Sequence, residues 1–116
     1  GVKKGGEYAI LTDEITKAWS GLSVNEYKKH KDLKKENLRD NMTNLELVLN
    51  MLAEATTTEI SKEKKPTTFA ENKIIANQGG TIAGNTRKEI EEKTGKKVVS
   101  ESSARKLMER KKKELE

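Results

Sequence analysis

The sequence predicts an all-α fold, a small bundle of about five or six helices joined by short capped turns, compact or elongated. Three observations predict it. Apolar residues recur three and four positions apart along several stretches. Three Ser/Thr-x-x-Glu boxes stand just before such stretches. Pro66 is the one proline, and β-branched runs are too short to build strands.

Residues 5–22 make the first predicted helix, with Tyr8, Leu11, Ile15, Ala18, Trp19 and Leu22 on one apolar stripe and Gly21 as its stop. Ser23-Val24-Asn25-Glu26 is a capping box, so a short helix follows, from 24 to about 31, packed through Val24 and Tyr27. Residues 28–41 are very polar, with Leu33 and Leu38 as the apolar anchors, and read as a loop or a second short helical piece. Thr43-Asn44-Leu45-Glu46 caps the strongest element, residues 44–63. Leu45, Val48, Leu49 and Leu52 form its stripe; Leu47, Met51 and Ala55 widen it, and Ile60 extends it. So wide a stripe predicts a central helix contacted from two sides, with Leu45 to Leu52 in the core or otherwise at a partner interface. Pro66 ends it.

Thr68-Phe69-Ala70-Glu71 caps a helix over 69–78 that carries Phe69, Ile74, Ile75 and Ala76. Gly79-Gly80 costs about 1 kcal/mol per glycine relative to alanine, so either one kinked helix continues or a second one starts over 81–94. Gly95 is a stop, and Val98-Val99 is expected to plug a gap between helices. Ser100 caps a last predicted helix, 101–115, with Ala104, Leu107, Met108 and Leu115 on a narrow line.

Hydrophobic residues make up 32% of the 116 and charged residues 37%, which predicts a thin core and much solvated helix surface. There is no cysteine, so disulfides, thiolate metal sites and cysteine nucleophiles are excluded. No apolar run approaches the ~20 residues of a membrane span, and the chain reads as cytoplasmic. His30, the one histidine, sits among lysines and reads as a surface residue. No pattern of convergent acids, bases or metal ligands points to catalysis, so the reading is a non-enzymatic domain without cofactor.

The net charge of +5 is unevenly spread: residues 28–39 carry six basic side chains against Asp32 and Glu36, and residues 87–116 carry eleven against seven acids. Lys28, Lys34, Lys35 and Arg39 in the first cluster, with Arg87, Lys96, Lys97, Arg105, Lys106 and Arg110 in the second, are the candidate contacts to nucleic-acid phosphate. Lys34, Lys35 and Arg39 are read as one helical face, and so are Arg105, Lys106 and Arg110. The other reading of both is a solvated surface. Few aromatics leave no base-stacking platform, and Trp19 is expected in the core, so any such binding is backbone-directed. Gly79-Gly80-Thr81-Ile82-Ala83-Gly84 either cradles an anion or lets helices pack closely through Gly80 and Gly84. Glu89, Glu91 and Glu92, interleaved with Arg87, Lys88 and Lys93, read as a salt-bridged face.

Three runs resemble a known family: Glu7-Tyr8-Ala9-Ile10-Leu11-Thr12-Asp13-Glu14-Ile15-Thr16-Lys17-Ala18-Trp19-Ser20-Gly21, Leu33-Lys34-Lys35-Glu36-Asn37-Leu38-Arg39-Asp40-Asn41-Met42-Thr43-Asn44, and Leu52-Ala53-Glu54-Ala55-Thr56-Thr57-Thr58-Glu59-Ile60-Ser61. They are similar to the C-terminal half of DNA-damage-inducible protein D. So are Gly79 to Gly84 and Thr94-Gly95-Lys96-Lys97-Val98-Val99-Ser100, a tail also similar to that of phage antirepressor-like proteins. The resemblance spans roughly residues 7–108, and Ser102-Ser103-Ala104-Arg105 departs from the Asn-Ala-Lys pattern expected there. It implies a bacterial, cytoplasmic protein of the DNA-damage (SOS) response, in or near the nucleoid, that modulates the recombinase filament through protein contacts. It also implies that residues 1–116 are one helical domain, the C-terminal part of a longer protein with an antirepressor-like N-terminal domain. The wide stripe of helix 44–63 adds a homodimer to the expected partners.

Overall fold

The computed structural model describes residues 4–101. Four α-helices follow one another: α1 (Lys4–Ser20), α2 (Val24–His30), α3 (Asn44–Lys64) and α4 (Phe69–Thr94), with a single 3-10 turn at Arg39–Asn41. The fold is all-α, as the apolar periodicity predicts. The number of helices is corrected to four within these residues, because the polar 31–38 stretch forms turns and Gly79-Gly80 does not interrupt α4. The predicted helix over 101–115, its apolar line, and Arg105, Lys106 and Arg110 lie outside the described residues.

The caps behave largely as their sequences dictate. Ser23 accepts from the Glu26 amide while Glu26 accepts from the Ser23 amide, and Thr43 and Glu46 do the same at α3. At α4 Thr68 accepts from the Glu71 amide, but the Glu71 carboxylate accepts from Thr67 N instead, so the third box is shifted by one residue. Gly21, with φ 86°, turns the chain out of α1. Lys65 adopts a left-handed conformation at the end of α3 and donates its amide to Ser61 O, so that helix closes one residue before Pro66.

α4 is the spine. α1 and α3 each pack along it and scarcely meet one another. Three glycines make this possible. A Cβ on Gly79 would stand 2.7 Å from the Thr57 backbone, one on Gly80 would meet Ile15 O at 2.7 Å, and one on Gly84 would meet Ala18 O at 2.6 Å. The helix continues through the pair because these positions are contact points for its neighbours. Thr56 Oγ1 adds a bond to Gly79 O at 3.0 Å, and Asn77 Nδ2 reaches Glu14 Oε1 at 3.1 Å.

The core is small and centred on Trp19, Tyr27, Leu33, Leu38, Leu49, Ala53, Ala83 and Val98. Leu33 and Leu38 anchor the polar stretch, and Val98 fills the gap expected of the Val98-Val99 pair. Two expectations are corrected. Tyr8, placed on the α1 stripe, is 70% exposed. In α3 the buried positions are Glu46, Leu49, Asn50 and Ala53, whereas Leu45, Val48 and Met51 are exposed. The inward face of α3 is thus half polar, and its apolar stripe is turned partly outward.

A buried polar hub explains that rotation. Lys31 and Glu46 form an ion pair at 2.8 Å with both side chains fully buried. Glu46 Oε1 also accepts from Thr43 N at 2.8 Å, and Oε2 accepts from the Tyr27 hydroxyl and from Ser100 N at 3.3 Å. Lys31 Nζ donates to Ser100 O at 2.8 Å and lies 5.7 Å from the Tyr27 ring centroid. Burial and the adjoining Glu46 carboxylate raise the Tyr27 hydroxyl far above its ordinary pKa, so it stays a donor. Trp19 Nε1 donates to Asn50 Oδ1 at 3.1 Å one turn further along α3.

Candidate functional site

Because α1 and α3 diverge on α4, a groove of about 610 Å³ opens between them. The two helices run in opposite directions, since Trp19 bonds to Asn50 while Tyr8 shares the groove with Ser61. Leu11 and Ile15 of α1 supply one apolar wall. Asn50, Glu54, Thr57, Thr58 and Ser61 of α3 supply the opposite wall, which is polar, and Asn72 and Ala76 of α4 contribute to the lining. Val24 and Lys28 of α2 line it as well, with Leu38, Arg39 and Met42. The charged residues here are Lys28, Arg39 and Glu54, and Arg39 pairs with Glu54. Lys28 makes no ion pair among the described residues.

Past the groove, α3 turns into its outward face. Leu45, Val48, Met51 and Ala55 are exposed there, and none of the α3 residues that lie between them on that side is charged. In a chain with 37% charged residues such a face is unusual.

The basic residues singled out by the sequence divide into three sets. Lys28 and Arg39 line the groove. Lys34 and Lys35 are exposed in a turn whose two amides donate to Glu36 Oε1, so the single helical face expected for Lys34, Lys35 and Arg39 does not form. Lys96 and Lys97 are exposed just after α4. Arg87 has a structural setting: Nε donates to Trp19 O at 2.7 Å, and Nη1 pairs with Glu91 at 2.7 Å. Glu91 Oε2 in turn accepts from Val98 N at 3.0 Å. Burial alone would raise the Glu91 carboxyl, but the Val98 amide and the Arg87 and Lys97 charges outweigh it and hold it below its ordinary value.

The contact between Lys31 and Ser100 joins the turn after α2 to the segment after α4, and Leu33 and Val98 meet in the same core cluster. Lys34, Lys35, Lys96 and Lys97 are thereby gathered from two distant parts of the sequence to one end of the bundle. Among the described residues, no three His, Cys, Asp or Glu side chains converge as metal donors would, and no helix is long and apolar enough to cross a membrane.

Sequence reasoning missed the hub. Lys31 lies in a lysine-rich run and Glu46 in a capping box, so each has an ordinary surface explanation; only the joint burial of both reveals the pair. The rotation of α3 was missed for the same reason, because a helix that buries Glu46 and Asn50 must turn Leu45 and Val48, expected in the core or at a partner interface, outward. No family model, no curated protein and no solved structure matches the chain.

Proposed function

We propose that this domain regulates another protein by direct contact and carries out no chemistry of its own. The observation that carries the reading is the uncharged, exposed face of α3 formed by Leu45, Val48, Met51 and Ala55. Apolar surface left in water on an otherwise heavily charged helical domain is favourable ground for a protein partner. The resemblance to DNA-damage-inducible protein D supplies the partner: the bacterial recombinase filament on DNA during the SOS response. The test is recombinase-catalysed strand exchange with the domain titrated in. Wild type is expected to inhibit, and Val48→Glu/Met51→Glu to lose the effect while keeping an unchanged helical melt. Equal inhibition by both proteins refutes the reading. A second copy of the chain is the other occupant this face would accept, and light scattering at high concentration reads it directly.

A second reading is binding to the nucleic-acid backbone. It is favoured by one contact, the Lys31–Ser100 bond that gathers Lys34, Lys35, Lys96 and Lys97 at one end. Binding of this kind weakens steeply with salt and reads little sequence. Gel-shift titration on single- and double-stranded DNA at low and moderate salt tests it. Absence of any shift at low salt removes it.

A further inference from the structure

The groove between α1 and α3 has the form of an unfilled helix position. Two antiparallel helices lie on a third and leave a lengthwise valley of about 610 Å³ between them. Residues 8–16 of α1 flank it, a span of about 14 Å, or between two and three helical turns. Its apolar lining includes Leu11, Ile15 and Met42, and Tyr8 stands on its rim with 70% of its surface in water. A tyrosine so exposed beside an apolar wall has contact area and a hydroxyl to offer.

The electrostatics give the occupant a sign. Arg39 is neutralised by Glu54, whereas Lys28 is half-buried and without an ion pair among the described residues, so the uncompensated charge among the lining residues is positive. We propose that the groove seats an amphipathic α-helix of a partner protein, with its apolar side on Leu11, Ile15 and Met42 and a carboxylate against Lys28. Apolar contact supplies the affinity in helix-in-groove recognition, and the charge sets direction and register. The inference rests on the reading that the domain works by protein contact, and names the chemistry of what it contacts.

Trp19 reports on this groove. It is the one tryptophan, and its indole N–H is bonded to Asn50, which lines the valley. The experiment follows that indole resonance in the full 116-residue chain while a synthetic helical peptide is added. The peptide has leucines three and four residues apart and glutamates in its first turn; a twin carries lysines in place of the glutamates. The acidic peptide is expected to shift the resonance and to bind about tenfold more tightly than its twin. Lys28→Glu should reverse the preference, and Tyr8→Ala, at a site too exposed to affect folding, should weaken binding severalfold. Equal affinity of the twins overturns the inference. No shift with either peptide, in protein that still inhibits the recombinase, overturns it while the proposed function stands. Charge-selective binding in protein without effect on the recombinase supports it and discards that partner.

Discussion

Replacing Glu46 with glutamine changes one atom in the most demanding position of the structure. The carboxylate accepts from four donors: Thr43 N and Lys31 Nζ at Oε1, and the Tyr27 hydroxyl and Ser100 N at Oε2. A glutamine offers one acceptor oxygen, and its amide nitrogen is itself a donor. Whichever way it is oriented, two of the four donors face an N–H₂ group. An unmatched buried donor costs about 1–3 kcal/mol, and a buried ion pair broken by loss of one partner about 3–5 kcal/mol in total. For a chain of this length the whole folding stability is on the order of 6–15 kcal/mol. Glu46→Gln is therefore expected to remove about 3–5 kcal/mol, a fall of about 2 M in the urea midpoint at a slope typical of small domains. Lys31→Met leaves Glu46 three of its donors and should cost less, about 2–4 kcal/mol. The double variant should be milder than the sum of the singles by about 1.5–3 kcal/mol, because the second change removes a group already stranded by the first. Urea unfolding followed by Trp19 fluorescence measures all four proteins. Additive losses, or a Glu46→Gln midpoint equal to wild type, would show that the hub is not coupled as described.

Four further changes have effects that follow from the structure. Gly84→Ala puts a methyl group 2.6 Å from Ala18 O and should destabilise by about 1–3 kcal/mol, whereas Gly6→Ala, in α1 with open space around it, should stabilise by about 0.5–1 kcal/mol; thermal melts that move both in one direction contradict the close-packed seam. Among the described residues Thr57 Oγ1 is buried without a hydrogen-bond partner, so Thr57→Val, similar in shape, should leave stability unchanged or raise it by about 1 kcal/mol, and a clear loss in chemical denaturation would mean the hydroxyl is satisfied. Glu91 has its carboxyl held below its ordinary value of 4.5, so its ionised form stabilises the fold fully above that pH, and the contribution is lost as pH falls through the lowered value. The stability gap between wild type and Glu91→Gln should therefore be widest near neutrality and narrow as the pH falls below that ordinary value; a gap that stays constant through the acid range argues against the Arg87–Glu91–Val98 linkage.

The helices were legible because their signals are local. Ser23 with Glu26, and Thr43 with Glu46, act within one turn, so reading the residues suffices to place both helix starts. Trp19, Leu33, Leu38 and Val98 were also legible, since each is an apolar residue that the surrounding pattern offers to a core. What failed was the rotation of α3 about its axis. Hydropathy alone favours turning Leu45 and Val48 inward, but a buried lysine from another part of the chain needs a carboxylate, and Glu46 supplies it. That pairing joins residues 15 apart and is completed by a backbone 54 positions further on, beyond the reach of any periodicity. The glycine pair in α4 was ambiguous for a related reason. Its helix penalty is local, and the close approach of Thr57 and Ile15 that offsets it is not. Of the candidate site, the charges of Lys28 and Arg39 were visible, but the groove they line exists only because two helices share a third while meeting one another little.

The placement of α4 as the shared spine also bears on the order in which the fold assembles. α3 and α4 are joined by a turn of four residues, Lys65 to Thr68, so their seam closes early and at small entropic cost. The first helix must wait for that seam, since its bonds to α4 join residues 63 and 68 positions apart. Detachment of α1 from a surviving α3–α4 hairpin is accordingly the cheapest large excursion open to the native chain. Amide exchange should register it as a protection step that divides the amides of α1 from those of α3 and α4.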